Sequence, residues 1–189
     1  MAAGVEMLRH CVLQVDRAGV FSSNEEKDDI ATADLKYMLT PFYLSEVVSR
    51  TRTPDPATRL PIVTEAAENT ELFLAMCDRH GFLPDAARAA REREGTVDPA
   101  TFRAEKVNRF KRDKAIRVRL EELDAARRKR REAALMSEEV NWDGEDDDEE
   151  DADSPLDDEE ERERWLLLVE VGPSHYSLHL AESNHQTRH

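Results

Sequence analysis

The chain has 189 residues, a formal net charge of −15, 37% charged residues and 39% hydrophobic residues. That length admits one compact domain with tails, and six glycines are too few for the many turns of a sandwich or barrel. No apolar stretch approaches the roughly 20 residues of a membrane span. The opening MAAGVEMLRHCVLQVDRAG is interrupted by Glu6, Arg9, His10 and Asp16, unlike a signal peptide or anchor. An all-α fold is therefore expected. Cys11 and Cys77 cannot frame a disulfide scaffold, and their apolar helical settings predict two buried free thiols in a reducing compartment, the cytoplasm or also the nucleus.

In chain order, Val5, Leu8, Val12 and Val15 recur at helical spacing, and Gly19 supplies a stop. Ser22, Ser23 or Asn24 is then expected to cap a second helix. In DIATADLKYMLTPFYLSEVVSR, Leu35, Leu39, Phe42 and Val47 share a face, while Pro41 removes a backbone donor and predicts a bend. After the proline-broken TRTPDPATRL, the residues Leu60, Val63, Ala67, Thr70, Leu74 and Cys77 alternate in steps of three and four until Gly81. That spacing predicts an antiparallel neighbour for the preceding helix. A short LPDAARAARERE segment follows. Asp98 and Pro99 then open a basic helix carrying a broken apolar stripe of Phe102, Val107, Phe110, Ile116, Leu120 and Leu123.

Between Asp143 and Glu161 there are fourteen acids and no base, so residues 142–161 are expected to be disordered by self-repulsion. A short helix is expected over 162–171. The tail over 172–189 lacks periodicity and is expected to be irregular. The helical region is expected to occupy 1–141.

Catalysis needs a nucleophile with a base and an oxyanion site, or a metal cluster. No GxSxG, P-loop, HExxH or CxxC pattern occurs. The chain is therefore expected not to be an enzyme, with no cofactor and no metal. Cys77 and His80 would make half a metal site with no second pair, and a buried thiol beside a helix-terminal His is the stronger reading. His175, His179, His185 and His189 take no role, and the acidic tract lacks the spacing of a calcium loop. Ser154, among acids and before a proline, is a conceivable phosphorylation site. The basic helix carries thirteen Lys or Arg against five acids between Arg103 and Arg131. That charge permits salt-dependent nucleic-acid binding modulated by the acidic tract, although no recognition motif accompanies it and the polyanion competes.

The block SSNEEKDDIATADLKYMLTPFYL, the helix opening with TRL, RAEKVNRFKRDKAI, and EEERERWLLLVE after an acidic run together resemble the Tap42/alpha-4 family of type 2A phosphatase-associated proteins, in its plant and algal form. The resemblance covers about Met1 to Glu170. It implies antiparallel helices similar to tetratricopeptide repeats. It also implies binding of the free catalytic subunit of type 2A-like phosphatases, in TOR-linked signalling, by a protein that is monomeric when free. In the family an Arg and a Lys three residues apart make that contact, matching Arg103 and Lys106; Arg109 and Lys111 are expected to support them. Measured against the family pattern, the chain is expected to lack a first helix and a longer C-terminal region, and to lose the resemblance after Glu170.

Overall fold

The computed structural model describes residues 2–53, 55–93, 98–138 and 157–186. Every regular element among them is a helix: α1 (Ala2–Ala18), α2 (Thr32–Met38), α3 (Thr40–Ser49), α4 (Pro56–Arg79), α5 (Asp85–Glu92), α6 (Pro99–Glu138) and α7 (Asp158–Gln186). The all-α expectation holds. Contacts divide the chain into one unit of Met1–Val97 with Leu168–His189, and a second of Asp98–Leu167.

In the first unit α1 ends as its sequence requires. Gly19 takes φ 61°, its N–H bonds the Asp16 carbonyl (3.1 Å), and the Val20 N–H reaches back to Val15 (3.4 Å), a Schellman close. The expected face of α1 is the one that packs: Val5 is buried with Leu44, Val48 and Ala66, and Leu8 and Val12 lie against them. Arg9 fastens the outer edge of this contact by a two-pronged bond to Glu65 (2.6 and 2.7 Å).

The expected cap at Ser22, Ser23 or Asn24 is not formed. Residues 21–30 make turns instead, and α2 starts at Thr32 after Ala31, which has no capping side chain. The acids meant to follow that cap are used within the turns: Glu25 accepts from Ser22 N–H (3.0 Å) and Asp29 from Glu26 N–H (3.0 Å). Pro41 was expected to bend one continuous helix, and the segment is instead divided into two. Leu39 ends α2 and begins α3, and Pro41 sits in the first turn of α3, where its missing donor costs nothing.

Helices α3 and α4 are antiparallel neighbours. Phe42 meets Phe73 (ring centroids 5.3 Å apart), and Ser45 and Thr70 both hydrogen-bond the Ala66 carbonyl (2.8 Å each). At the other end Arg59 donates to the carbonyl oxygens of Thr51 (2.7 Å) and Ser49 (3.0 Å), which α3 leaves without helical partners. The inward face of α4 is Ala66, Thr70, Phe73, Leu74 and Cys77. Leu60 and Val63, assigned to that stripe by spacing, are exposed. The correction is a small rotation: after Asp55 caps Thr58 N–H (3.2 Å) the helix turns Ile62 inward instead.

At the far end of α4, Gly81 (φ 76°) repeats the Schellman close. Phe82 and Leu83 fold back so that both N–H groups bond the Cys77 carbonyl (2.8 and 3.1 Å). Cys77 is a buried thiol as expected, and desolvation pushes its ionisation far up. Cys11 is exposed, contrary to expectation, because it lies off the Val5–Leu8–Val12 face. His80 is buried, with Nδ1 donating to the Glu25 carbonyl (2.7 Å), so it anchors the 21–30 turns. Helix α5 has no buried residue and is held to α4 by Arg88–Asp78 (2.7 Å) and Arg91–Glu71 (2.8 Å).

The acidic segment and tail differ from the reading of their composition. Residues 142–156 lie outside the described residues, but Asp158–Glu161 form the first turn of α7, where four carboxylates complement the positive end of the helix dipole. The helix does not stop at 171; it runs through Gly172 and Pro173 to Gln186. Gly172 lies against Phe73, where a Cβ would come within 2.6 Å of the ring. The residue that reads as a helix stop is thus the one that permits close approach.

Candidate partner-binding surface

Helix α6 is built as the sequence predicts at its start. The Asp98 carboxylate accepts from the Thr101 N–H (3.1 Å) and hydroxyl (3.3 Å), and Pro99 is the first helical residue. This cap fixes where the following cations emerge. Arg103, Lys106 and Lys111 are exposed and Arg109 is half-buried. Spacings of three, four, seven and eleven residues align Arg103, Lys106, Val107, Phe110 and Lys114 along one face. On it Val107 is 45% and Phe110 68% exposed, so the cations border an uncovered apolar strip. Lys111 flanks this strip, whereas Arg109 falls on the face of Ile116, seven residues on. Lys114 was missed in the sequence, although its spacing of eleven from Arg103 is the available signal.

The apolar stripe of α6 is in fact two stripes. Ile116 and Leu123 are buried, with Leu120 half-buried on the same side, while Val107, Phe110 and Val118 face outward. One amphipathic helix thus offers a second apolar face to something other than its own core.

Electrostatics separate the two ends of α6. Arg119 makes a two-pronged pair with Glu163 (2.8 and 2.7 Å) and a further bond to Glu122 (3.1 Å). Arg130 pairs with Glu160, and Arg164 reaches back to Asp124 (2.8 Å). Residues late in α6 pair with the start of α7, so the two segments run in opposite senses within this unit. The Arg119 guanidinium holds the Glu163 carboxyl below the usual carboxylate range, and Glu163 in turn raises Arg119. Among the described residues neither Arg103 nor Lys106 makes such a pair. Two cations near a helix N-terminus also gain nothing from the macrodipole, so local helix stability gives no reason for them.

No group of three or more His, Cys, Asp or Glu that could hold a metal occurs among the described residues, and no helix among them is long and apolar enough to cross a membrane. The cavity between α1, the α2–α3 junction and α4, about 350 Å³, is walled mainly by apolar groups such as Val12, Phe21 and Leu72. What the geometry defines is a helical scaffold presenting a basic, apolar-centred edge.

Comparison with known proteins places this scaffold. The chain belongs to the TAP42-like family, whose model matches residues 1–187. The match continues past Glu170, where the sequence resemblance was expected to end. The chain is similar to a rice protein named PP2A regulatory subunit TAP46, 36% identical over 171 residues covering 89% of this chain and 39% of that protein. The protein of the same name from Arabidopsis thaliana is 37% identical over 171 residues, covering 89% of this chain and 40% of the relative. The chain therefore spans about two fifths of the length of these curated relatives. In fold it resembles a solved structure titled "The Structure of Tap42 Alpha4 Subunit", with a TM-score of 0.58 and 22% identity over 92% of this chain and 75% of that one.

Proposed function

We propose that the chain is a non-catalytic regulatory protein that binds the free catalytic subunit of type 2A-like protein phosphatases, in TOR-linked signalling, acting as a monomer in the cytoplasm and also in the nucleus. Family membership and relatives named PP2A regulatory subunits support a phosphatase-associated role. The observation that carries the contact assignment is the exposed edge of α6, where Arg103 and Lys106 border Val107 and Phe110. Lys111 flanks the contact and Arg109 contributes charge from the side. Exposed cations steer an acidic partner, and an apolar centre that is desolvated on docking supplies the slow off-rate.

Capture is stoichiometric, with no chemistry performed by the chain. The pairing of Arg119 and Arg130 with α7 acids weighs against a nucleic-acid role, because it consumes charge that phosphates would need. A pull-down of phosphatase catalytic subunit from cell extract tests the reading: wild type retains it, and Arg103→Glu with Lys106→Asp loses it. Full retention by the double variant overturns the contact assignment, and no capture by wild type overturns the function.

A further inference from the structure

Between α3 and α4 the backbone leaves helical form for residues 51–53 and lines an open cleft of about 660 Å³ with Ser49, Arg50, Thr51, Arg52, Thr53 and Arg59. Three arginines and two threonines thus share one cleft in a chain of formal net charge −15. The cations are only partly engaged. Arg50 makes one exposed pair with Glu46 (2.8 Å), and Arg59 uses Nη1 and Nη2 on the Thr51 and Ser49 carbonyls, two of the five N–H donors a guanidinium carries. The Asp55 carboxylate is turned to the Thr58 N–H at the start of α4 (3.2 Å).

Thr53 is set apart from the other hydroxyls. Its side chain is half-buried, and its Oγ1 reaches the Asp55 carbonyl only at 3.5 Å, the outer limit of a hydrogen bond, so the hydroxyl is weakly committed. It precedes Pro54, and a residue before proline favours extended backbone, the form in which a peptide enters a kinase cleft. Thr40 also precedes a proline, but it is buried and helical. Ser154 lies outside the described residues.

We propose that Thr53 is a phosphorylation site for a proline-directed Ser/Thr kinase, and that the arginines of the α3–α4 loop receive the phosphate. In the transfer, Thr53 Oγ1 bonds the γ-phosphorus of Mg-ATP, the bond from that phosphorus to the β,γ-bridging oxygen breaks, and ADP leaves. The hydroxyl proton passes to the kinase's catalytic carboxylate. The product carries about −1.5 to −2 charge and three acceptor oxygens opposite Arg50, Arg52 and Arg59. The phosphate then joins the end of α3 to the start of α4 across the loop, through the donors Arg59 does not spend on carbonyls. The modification stiffens the helix pair that forms the centre of the first unit. It is independent of the α6 edge and of the phosphatase reading.

The test uses the full 189-residue chain, a proline-directed kinase and Mg-ATP, with sites mapped by fragmentation mass spectrometry. Phosphate is expected on Thr53, with at least a tenfold loss of labelling at this loop in Thr53→Ala. The phosphorylated chain is expected to melt about 2 to 4 °C higher at low salt, a rise that shrinks in 1 M NaCl as the pairs are screened. Phosphorus NMR is expected to place the second phosphate ionisation below the value of about 6 of free phosphothreonine, and near 6 in a phosphopeptide of residues 47–58, which lacks the fold and Arg59. No label at Thr53 under conditions that label the peptide overturns the site. An unchanged or lower melting temperature with an ionisation near 6 overturns the arginine cradle.

Discussion

The α1–α4 region and helix α6 are both wholly helical in their regular structure but are held by different forces. In the first, Phe73, Leu35, Met38, Leu39 and Leu44 are at most 2% exposed, and the polar groups among them, Ser45 and Thr70, both donate to a helix carbonyl. In α6, only Ile116 and Leu123 are buried among hydrophobic residues over 40 residues, and arginine–carboxylate pairs join it to the start of α7. Burial is short-ranged and insensitive to salt, whereas exposed pairs are screened. The difference leaves one region as a fixed platform and the other with side chains still to be covered.

The sharpest way to break this contrast is one chemical change made in both regions. Phe73→Ala removes a ring with no exposure and is expected to cost about 3 to 5 kcal/mol in urea unfolding. Phe110→Ala removes a ring that is 68% exposed and is expected to change stability by less than about 0.5 kcal/mol while weakening phosphatase capture. Equal stability losses would erase the distinction.

Next in size is Gly172→Ala. Its Cβ would lie 2.6 Å from the Phe73 ring, so an unfolding midpoint lowered by the equivalent of about 1 to 3 kcal/mol is expected. A neutral result would mean that α7 does not approach Phe73.

Smaller still is the Arg9–Glu65 pair. Hydrogen bonding to Arg9 lowers the Glu65 carboxyl from its ordinary value of 4.5, so its contribution is complete above that pH and disappears as pH falls through the lower folded value. Because the pair is partly exposed, Glu65→Gln is expected to cost less than about 1 kcal/mol near neutrality. The cost should vanish in acid, as read by melts across pH. The smallest effect is expected from salt: hydrogen exchange in the first turns of α7 should quicken in 1 M NaCl, while α3 and α4 amides stay unchanged.

How far the sequence reveals these features depends on the range of the forces involved. Caps and stops are local, and Gly19, Gly81, Asp98 with Pro99, and the division at Pro41 are all found where their chemistry places them. Which face of a helix is covered is a tertiary outcome. Spacing put Leu60 and Val63 in the core, and merged the inward Ile116 and Leu123 with the outward Val107 and Phe110. The persistence of α7 beyond Gly172 depends on a distant ring, and the pairing of basic α6 with acidic α7 on a chain reversal that charge counts do not contain. Arg103 and Lys106 were singled out through the family resemblance. Their shared face with Phe110 and Lys114 follows from helical spacing, and their exposure is supplied by the fold.

The central claim is that the N-terminal edge of α6, not its denser basic end, holds a phosphatase. Binding of purified type 2A catalytic subunit to immobilised chain, compared among wild type, Arg103→Glu with Lys106→Asp, and Arg128→Glu with Lys129→Asp, tests it most directly. The account predicts at least a tenfold loss of affinity for the first variant and less than a twofold change for the second. Equal losses in both, or a loss only in the second, would contradict it.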